Sequence, residues 1–115
     1  MKVQALMAAL SAQNVVEGAN LDAEVSCGYS CDLLSWVLGH GKPGMAWITV
    51  QSHMNVIAVA VLLEMACVIL PEGVELEEAS LKKAQEEDLP VLRSNQTAFA
   101  LSAMMVAAGI ASAEE

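Results

Sequence analysis

The sequence predicts a single α/β domain of three-layer-like architecture, in which helices cover a mainly parallel sheet built from βαβ units. Strand-like and helix-like segments alternate three times from Met45 onward. The apolar segment that starts at Met45 carries no charge, which is typical of a strand covered on both faces. With 115 residues the chain has room for one compact domain and is too short for two ordinary ones.

The first half of the chain is predicted to form two helices and two strands. The helices are expected at residues 3–10 and 33–38, and the strands between them at 14–17 and 25–30. The first helix follows from an apolar stripe with helical spacing, and a turn-prone segment at 20–22 separates the two strands. Asp32 is expected to cap the second helix, and Gly39 and Gly41 to end it, so that residues 39–44 form a loop.

The second half is predicted to contain the three alternating strand and helix pairs. They are expected as strands at 45–50, 66–70 and 89–92 and as helices at 56–63, 77–88 and 97–110. Ser52 or His53 is expected to open the first of these helices, and Thr97 the last. The domain is expected to span residues 1–115, with a disordered tail at about 111–115.

The composition predicts association between copies of the chain. Hydrophobic residues make up 56% of the sequence, but it has one Phe, one Tyr and two Trp, so aliphatic residues and Met must build the core. Such a surplus of apolar residues in a small domain predicts that some are buried between subunits, as in a homodimer. The alternative is an Ala-rich core without a partner.

Charge and hydropathy exclude a nucleic-acid partner and a membrane partner. The chain has 14 acidic and 5 basic residues, so it cannot present the cationic stripe that nucleic acid requires. Its strongest apolar stretch, at 56–70, is interrupted by Glu64 and stays below the roughly 20 residues of a spanning helix. The short apolar segment at the N-terminus lacks the basic region of a signal peptide, so a cytoplasmic location is expected.

Part of the sequence resembles a known family. The segment LDAEVSCGYSCDLLS at 21–35, followed by WITVQSH at 47–53 and by residues 55–60, resembles the DRTGG domain family, and the similarity covers nearly the whole chain. The resemblance implies a small α/β domain related in fold to the N-terminal domain of HPr kinase/phosphorylase. It also implies a regulatory or dimerising role, because the family occurs alone or fused to phosphate acetyltransferases and CBS-domain pyrophosphatases.

The chain departs from the motif that names this family. Asp22 and Gly28 match, whereas Ala23 stands where Arg is usual, Ser26 replaces Thr, and Cys27 replaces the first Gly. Loss of the Arg removes a bidentate donor suited to phosphate or carboxylate. The sequence also has no GxxxxGKS or GxxxxGKT loop, which excludes the kinase activity attributed to some relatives.

Polar side chains are concentrated directly after the predicted strand at 45–50. Ligands of α/β domains bind beyond the carboxyl ends of strands, where helix N-termini also converge. A ligand site is therefore predicted where this junction meets the end of the strand at 25–30. The predicted ligand-binding residues are Gly28, Tyr29, Ser30, Asp32, Thr49, Gln51, Ser52, His53 and Asn55. A helix cap and a hydrogen-bond network between subunits would explain the same residues without a ligand.

No metal site and no cofactor are predicted. Cys27 and Cys31 lack the CxxC spacing of a zinc knuckle and no second pair is present, so these residues and Cys67 are expected to be free thiols. The odd number of cysteines also argues against a disulfide framework.

The function predicted from the sequence is that of a non-catalytic regulatory or ligand-sensing module acting as a homodimer. An adenine nucleotide is the first candidate ligand, because the resemblance implies fusion to CBS-domain enzymes. Two alternatives stay open. One is a structural adaptor that binds a protein through its apolar surface, and the other is a small enzyme in which His53 or a cysteine has a perturbed pKa.

Overall fold

The computed structural model describes residues 1–113, which form five helices and five strands. The helices are α1 (Val3–Leu10), α2 (Leu34–His40), α3 (Met54–Leu62), α4 (Glu78–Glu86) and α5 (Ala98–Ala107). The strands are β1 (Gln13–Asn14), β2 (Cys27–Ser30), β3 (Met45–Ile48), β4 (Cys67–Leu70) and β5 (Val91–Arg93). They form one sheet in the order β1-β5-β4-β3-β2, in which β1 is antiparallel to β5 and all other neighbours are parallel. The predicted α/β class with a mainly parallel sheet is confirmed.

Helices cover both faces of the sheet because the central strands carry apolar side chains on both sides. Successive residues of a strand point to opposite faces. On one face Trp47 and Val68 pack with residues of α2, α3 and α4. On the other face Ile48 and Ile69 pack with residues of α1 and α5. None of the helices described for this chain is long and apolar enough to cross a membrane.

All three βαβ crossovers place their helices on the same face of the sheet. The strands β2 to β5 follow one another across the sheet in chain order, and right-handed crossovers that advance in one direction stay on one side. Within residues 1–113, neighbouring parallel strands therefore lack the switch point that opens a crevice in doubly wound folds. Helix α5 instead returns across the opposite face, where it contacts α1 and β2.

The prediction that Asp32 caps α2 is wrong. Leu33 occupies the N-cap position and makes no side-chain capping hydrogen bond. The carboxylate of Asp32 instead binds Thr49 and Val50, which follow β3. Thr49 is buried, so its hydroxyl needs an acceptor inside the protein, and Asp32 provides it.

The prediction that α2 ends before Gly39 is also wrong, because the helix includes Gly39 and continues to His40. Gly39 does not have a left-handed backbone conformation, and a Cβ atom there would meet nothing within 4 Å. The C-cap is Gly41, which is extended. Its missing side chain leaves room for Leu63 and Met65.

The other predicted elements are present, with bounds that differ by a few residues. Helix α1 has the predicted bounds, and His53 and Thr97 are the N-caps of α3 and α5. The strands are shorter than predicted. For example, β5 begins at Val91 because Pro90 has no N–H to donate to the sheet.

The C-terminal segment runs beside the free edge of β2. The backbone N–H of Gly28 donates to the carbonyl of Ala111 at 2.8 Å, and Gly28 forms a parallel bridge with Ser112. The tail predicted from about residue 111 therefore starts with residues that pair with the sheet. Residues 114 and 115 lie outside the described residues.

Candidate functional site

The carboxylate of Asp32 joins the carboxyl ends of β2 and β3. Its Oδ1 atom accepts hydrogen bonds from the Thr49 hydroxyl and from the Val50 backbone N–H, both at 2.9 Å. The Thr49 Oγ1 atom also accepts from the Gln51 backbone N–H at 3.2 Å. The Gln51 Nε2 group donates to the Asp32 carbonyl at 3.1 Å. We call Asp32, Thr49, Val50 and Gln51 the edge cluster.

The edge cluster forms where the ladder between β2 and β3 ends. Ser30 and Ile48 are the last pair in register, and beyond them the Cys31 N–H donates to the Ile48 carbonyl at 3.2 Å. Beyond this point the backbone N–H and C=O groups no longer form hydrogen bonds between β2 and β3, so side chains must provide their partners. Thr49 is 1% exposed, which is why its hydroxyl is paired with the carboxylate. The fold thus brings together Asp32, Thr49 and Gln51, three of the predicted ligand-binding residues.

The edge cluster presents an open acceptor to solvent. The second carboxylate oxygen of Asp32, Oδ2, accepts no hydrogen bond from any residue in 1–113. Exposed apolar residues neighbour the edge cluster along the chain: Val50 belongs to it, Leu33 follows Asp32, and Met54 follows His53. A few polar groups among apolar ones are typical of small-molecule sites. These three residues are not among the predicted ones, because an apolar residue is expected to be buried.

His53 caps α3 and does not join the edge cluster. Its Nδ1 atom accepts a hydrogen bond from the Asn55 N–H at 3.3 Å, so the proton of the neutral ring lies on Nε2. The Ser52 carbonyl accepts from the Glu77 N–H at 3.2 Å, which ties the start of α3 to the start of α4. In the described structure no hydrogen bond connects His53 to the edge cluster.

Gly28, Tyr29 and Ser30 lie along β2 and point in different directions. Alternation along the strand places Gly28 and Ser30 toward α5 and Tyr29 toward the α2 side. Burial raises the pKa of Tyr29, the nearby thiol of Cys31 adds to this rise, and a hydrogen bond from Trp36 opposes it. The nine predicted residues therefore divide between β2, the edge cluster and the start of α3.

Two concave surfaces adjoin β2. A cleft of about 230 Å³, the α5 cleft, lies between β2 and α5 and includes Gly28 and Ser30. A groove of about 560 Å³, the α2 groove, lies beside the end of α2, where the rings of Trp36 and His40 stack with centroids 4.0 Å apart.

All three cysteines are free thiols. Cys67 is completely buried, and desolvation raises its pKa from 9.0 to about 12, so it is protonated and unreactive at neutral pH. Among the described residues, no group of three or more His, Cys, Asp or Glu side chains is placed to hold a metal ion.

The chain matches a known protein family. Residues 5–108 match the family model of the DRTGG domain. The chain belongs to the DRTGG domain family. A comparison of this DRTGG domain with curated proteins gave no match.

A solved structure has a similar fold. It is the regulatory region of a Clostridium perfringens pyrophosphatase, with its CBS and DRTGG domains, in complex with the activator diadenosine tetraphosphate. The TM-score is 0.69 at 12% sequence identity, and the match covers 91% of this DRTGG domain and 46% of that chain. This chain thus spans less than half of the length of its structural relative. At this identity the likeness establishes the fold.

The position of the missing motif Arg lies at the opposite edge of the sheet from the edge cluster. Ala23, where Arg is usual in DRTGG domains, lines a cavity beside the amino ends of β4 and β5. Glu64, Glu87 and Asp88 line the same cavity. The described residues that line this cavity include none of the edge cluster.

Proposed function

We propose that this DRTGG domain is a non-catalytic regulatory module that senses an adenine nucleotide at the carboxyl edge of its sheet. The edge cluster carries this proposal, because the Oδ2 atom of Asp32 accepts no hydrogen bond from residues 1–113 and exposed apolar residues neighbour the cluster along the chain. The structural relative, a regulatory region in complex with diadenosine tetraphosphate, supports the choice of ligand.

Each group at this edge has a distinct role in the proposal. The Oδ2 atom of Asp32 accepts hydrogen bonds from ribose hydroxyls, as acidic residues do in dinucleotide-binding folds. The Nε2–H group of His53 and the first N–H groups of α3 donate to the phosphate nearest the ribose. The exposed side chains of Leu33, Val50 and Met54 pack against the carbon atoms of the ribose.

The charge of this edge favours ligands with few phosphates. Arg93, at the end of β5, is already bound by the Gly73 and Val74 carbonyls at 2.7 and 3.2 Å and by Glu75 at 3.4 Å. The net charge of −9 repels polyphosphates. We therefore expect adenosine and AMP to bind more tightly than ATP.

The proposal assigns no catalytic step to this edge. The Nδ1 atom of His53 is used by the capping hydrogen bond, so it can act as a base only if the cap breaks. The buried thiol of Cys67, with its raised pKa, lacks the thiolate that a nucleophile requires. The free thiols also fit the cytoplasmic location expected from the sequence.

Thermal unfolding in the presence of adenosine, AMP, ATP or diadenosine tetraphosphate tests the proposal. A ligand at about 100 times its Kd adds about 2.7 kcal/mol of stability, which raises the Tm by several degrees. Asp32→Asn is the most specific test. The Asn side-chain oxygen can still accept the hydrogen bonds from Thr49 and Val50, whereas its NH₂ group, a donor, replaces the solvent-facing acceptor Oδ2. We expect the Tm of this variant to match the wild type without ligand, and the ligand-induced shift to be lost.

A pair of histidine variants controls for nonspecific effects. We expect His53→Ala to reduce the shift in Tm caused by AMP, and His40→Ala, at the end of α2, to leave it unchanged. If the folded wild-type protein shows no shift with any of the four compounds, nucleotide sensing is rejected and a structural adaptor is favoured.

We propose further that two copies associate through the outer face of α1 and α5. These helices contact each other and contain no charged residue. Phe99 and Val106 are 87% and 70% exposed and form an apolar stripe with Ala103 at helical spacing. Contiguous exposed apolar surface marks a protein contact. A second copy fits this face because it brings an equally uncharged and apolar one.

A further inference from the structure

We infer that the α5 cleft is the pocket for the uncharged base of the nucleotide, and that recognition of the nucleoside rather than of the phosphates determines affinity. This inference rests on the nucleotide sensing proposed above. The juxtaposition that carries it is an uncharged cleft of ring size that reaches the last residues of β2 and β3, the strands after which the edge cluster follows.

The size of the α5 cleft fits a ring system and not a whole nucleotide. Its volume is about 230 Å³. An apolar cavity of about 150 Å³ holds benzene, so the α5 cleft has room for a base of two fused rings. Pockets that hold complete drug-sized ligands measure roughly 300–1,000 Å³. The ribose and phosphate would therefore remain outside the cleft.

The lining of the α5 cleft matches an uncharged planar ring with polar edges. No charged residue is among the described residues that line it, so a phosphate inside would lose its hydration without gaining a cation. Ile48 and Met105 provide apolar walls. The Ser30 hydroxyl has no hydrogen-bond partner within the described chain and can donate to, or accept from, a base edge. The Ser102 hydroxyl is held by the Ala98 carbonyl at 2.8 Å.

The α5 cleft reaches the carboxyl ends of the two strands that the edge cluster follows. It includes Ser30 and Ile48, the last residues of β2 and β3, and Asp32 and Thr49 come shortly after them in the chain. A base in the cleft therefore leaves its ribose free to extend toward this carboxyl edge of the sheet, where Asp32 lies. The α2 groove is larger, but it extends to His40, where α2 ends and the chain returns toward the start of β3, so it lies away from Asp32.

Gly28 sets the depth of the α5 cleft. A Cβ atom at this position would lie 2.9 Å from the Met105 Cε atom and 3.2 Å from the Ile110 Cγ2 atom. The absence of a side chain thus lets α5 and the segment after it close onto β2. The Gly28 N–H also holds that segment through the Ala111 carbonyl at 2.8 Å. Packing and a backbone hydrogen bond fix the walls of the cleft. Binding of a base therefore has a small entropic cost, because few protein groups have to become ordered.

Isothermal titration calorimetry of the full chain with adenosine and AMP tests the base pocket. Ser102→Leu puts extra carbon atoms into the cleft, whereas Ala107→Leu adds a Leu at an exposed position of the same helix that lines neither the cleft nor the proposed dimer stripe. We expect Ser102→Leu to weaken the binding of adenosine and of AMP about tenfold or more. Ala107→Leu should leave both affinities unchanged, and ribose 5-phosphate, which lacks the base, should not bind the wild type measurably.

Methionine methyl NMR of the wild type gives a readout that does not depend on a variant folding. The ring current of a base in the cleft shifts the methyl resonance of Met105, whereas that of Met65, at the opposite edge, stays in place. If Met105 does not respond and Ser102→Leu binds AMP like the wild type, the base pocket is rejected, while nucleotide sensing through Asp32 stands. If the wild type binds none of adenosine, AMP, ATP and diadenosine tetraphosphate, both proposals fail.

Discussion

Burial alone determines the protonation state of Cys67. Cys67 is the first residue of β4 and is completely buried, and desolvation raises its pKa from 9.0 to about 12. In the unfolded chain the thiol has its ordinary pKa and ionises above about pH 9, whereas the folded protein keeps the proton. The unfolded state then binds fewer protons than the folded state, so stability falls as the pH rises.

We predict that Cys67 lowers the free energy of unfolding by up to about 1.4 kcal/mol per pH unit between roughly pH 9 and 12. The raised pKa of Tyr29 adds a fall in the same direction at higher pH. Urea unfolding curves from neutral pH to about pH 11 measure this slope. Cys67→Ala should show a smaller slope than the wild type. Equal slopes in the two proteins would contradict the prediction.

Asp32 and His53 show how much of the candidate site the sequence could specify. An acidic residue before an apolar run is a good local signal for a helix cap, yet Asp32 binds Thr49, which lies 17 positions away. Such a partner is set by strand order, which local pattern does not encode. His53 caps α3 through a residue two positions away, and that local relation was predicted.

At the scale of elements, the backbone of Gly39 provides a direct test of where α2 ends. Gly39 and Gly109 both have no atom within 4 Å of an added Cβ, but Gly109 has a φ of 96° and Gly39 is not left-handed. We predict that Gly39→Ala raises the free energy of unfolding by about 0.5 kcal/mol, because Ala loses less entropy in a helix. Gly109→Ala should lower it by about 1 kcal/mol.

Chemical denaturation of the two variants beside the wild type measures both changes, and the pair controls for the added methyl group. If Gly39→Ala is as destabilising as Gly109→Ala, α2 ends before Gly39 in solution, as the sequence pattern predicts.

Helix α5 marks the limit of what periodicity predicts about elements. The sequence gives its start at Thr97 and its approximate length. However, α5 is apolar on all sides: Leu101 and Met105 are buried, while Phe99 and Val106 are exposed. Without an amphipathic pattern, the sequence cannot show which side packs on the sheet. The sequence therefore does not predict the α5 cleft, although Gly28 and Ser30, which line the cleft, are among the predicted ligand-binding residues.

At the scale of the whole molecule, the most acidic segment and the proposed dimer interface lie on opposite faces of the sheet. Half of the acidic residues lie at 72–88, on and around α4. Helix α4 packs on the face opposite to α1 and α5. Two copies that meet through α1 and α5 therefore keep their most acidic segments far apart. The repulsion between them weakens with distance and with salt.

We predict that the chain is dimeric and that Phe99→Glu makes it monomeric. In a two-fold symmetric dimer, each residue of the interface occurs twice, once in each copy. Burial of one Phe side chain contributes about 1.5–3 kcal/mol. Loss of both Phe99 side chains therefore raises the Kd of the dimer about a hundredfold or more. Leu62→Glu, at a 70% exposed position on α3, is the matched control and should stay dimeric. Light scattering coupled to size-exclusion chromatography measures the molar mass of each variant. Added salt should lower the Kd of the wild-type dimer, because it screens the repulsion between two chains that each have a net charge of −9. A wild type that is monomeric at every salt concentration, or a dimeric Phe99→Glu variant, would exclude this face as the interface.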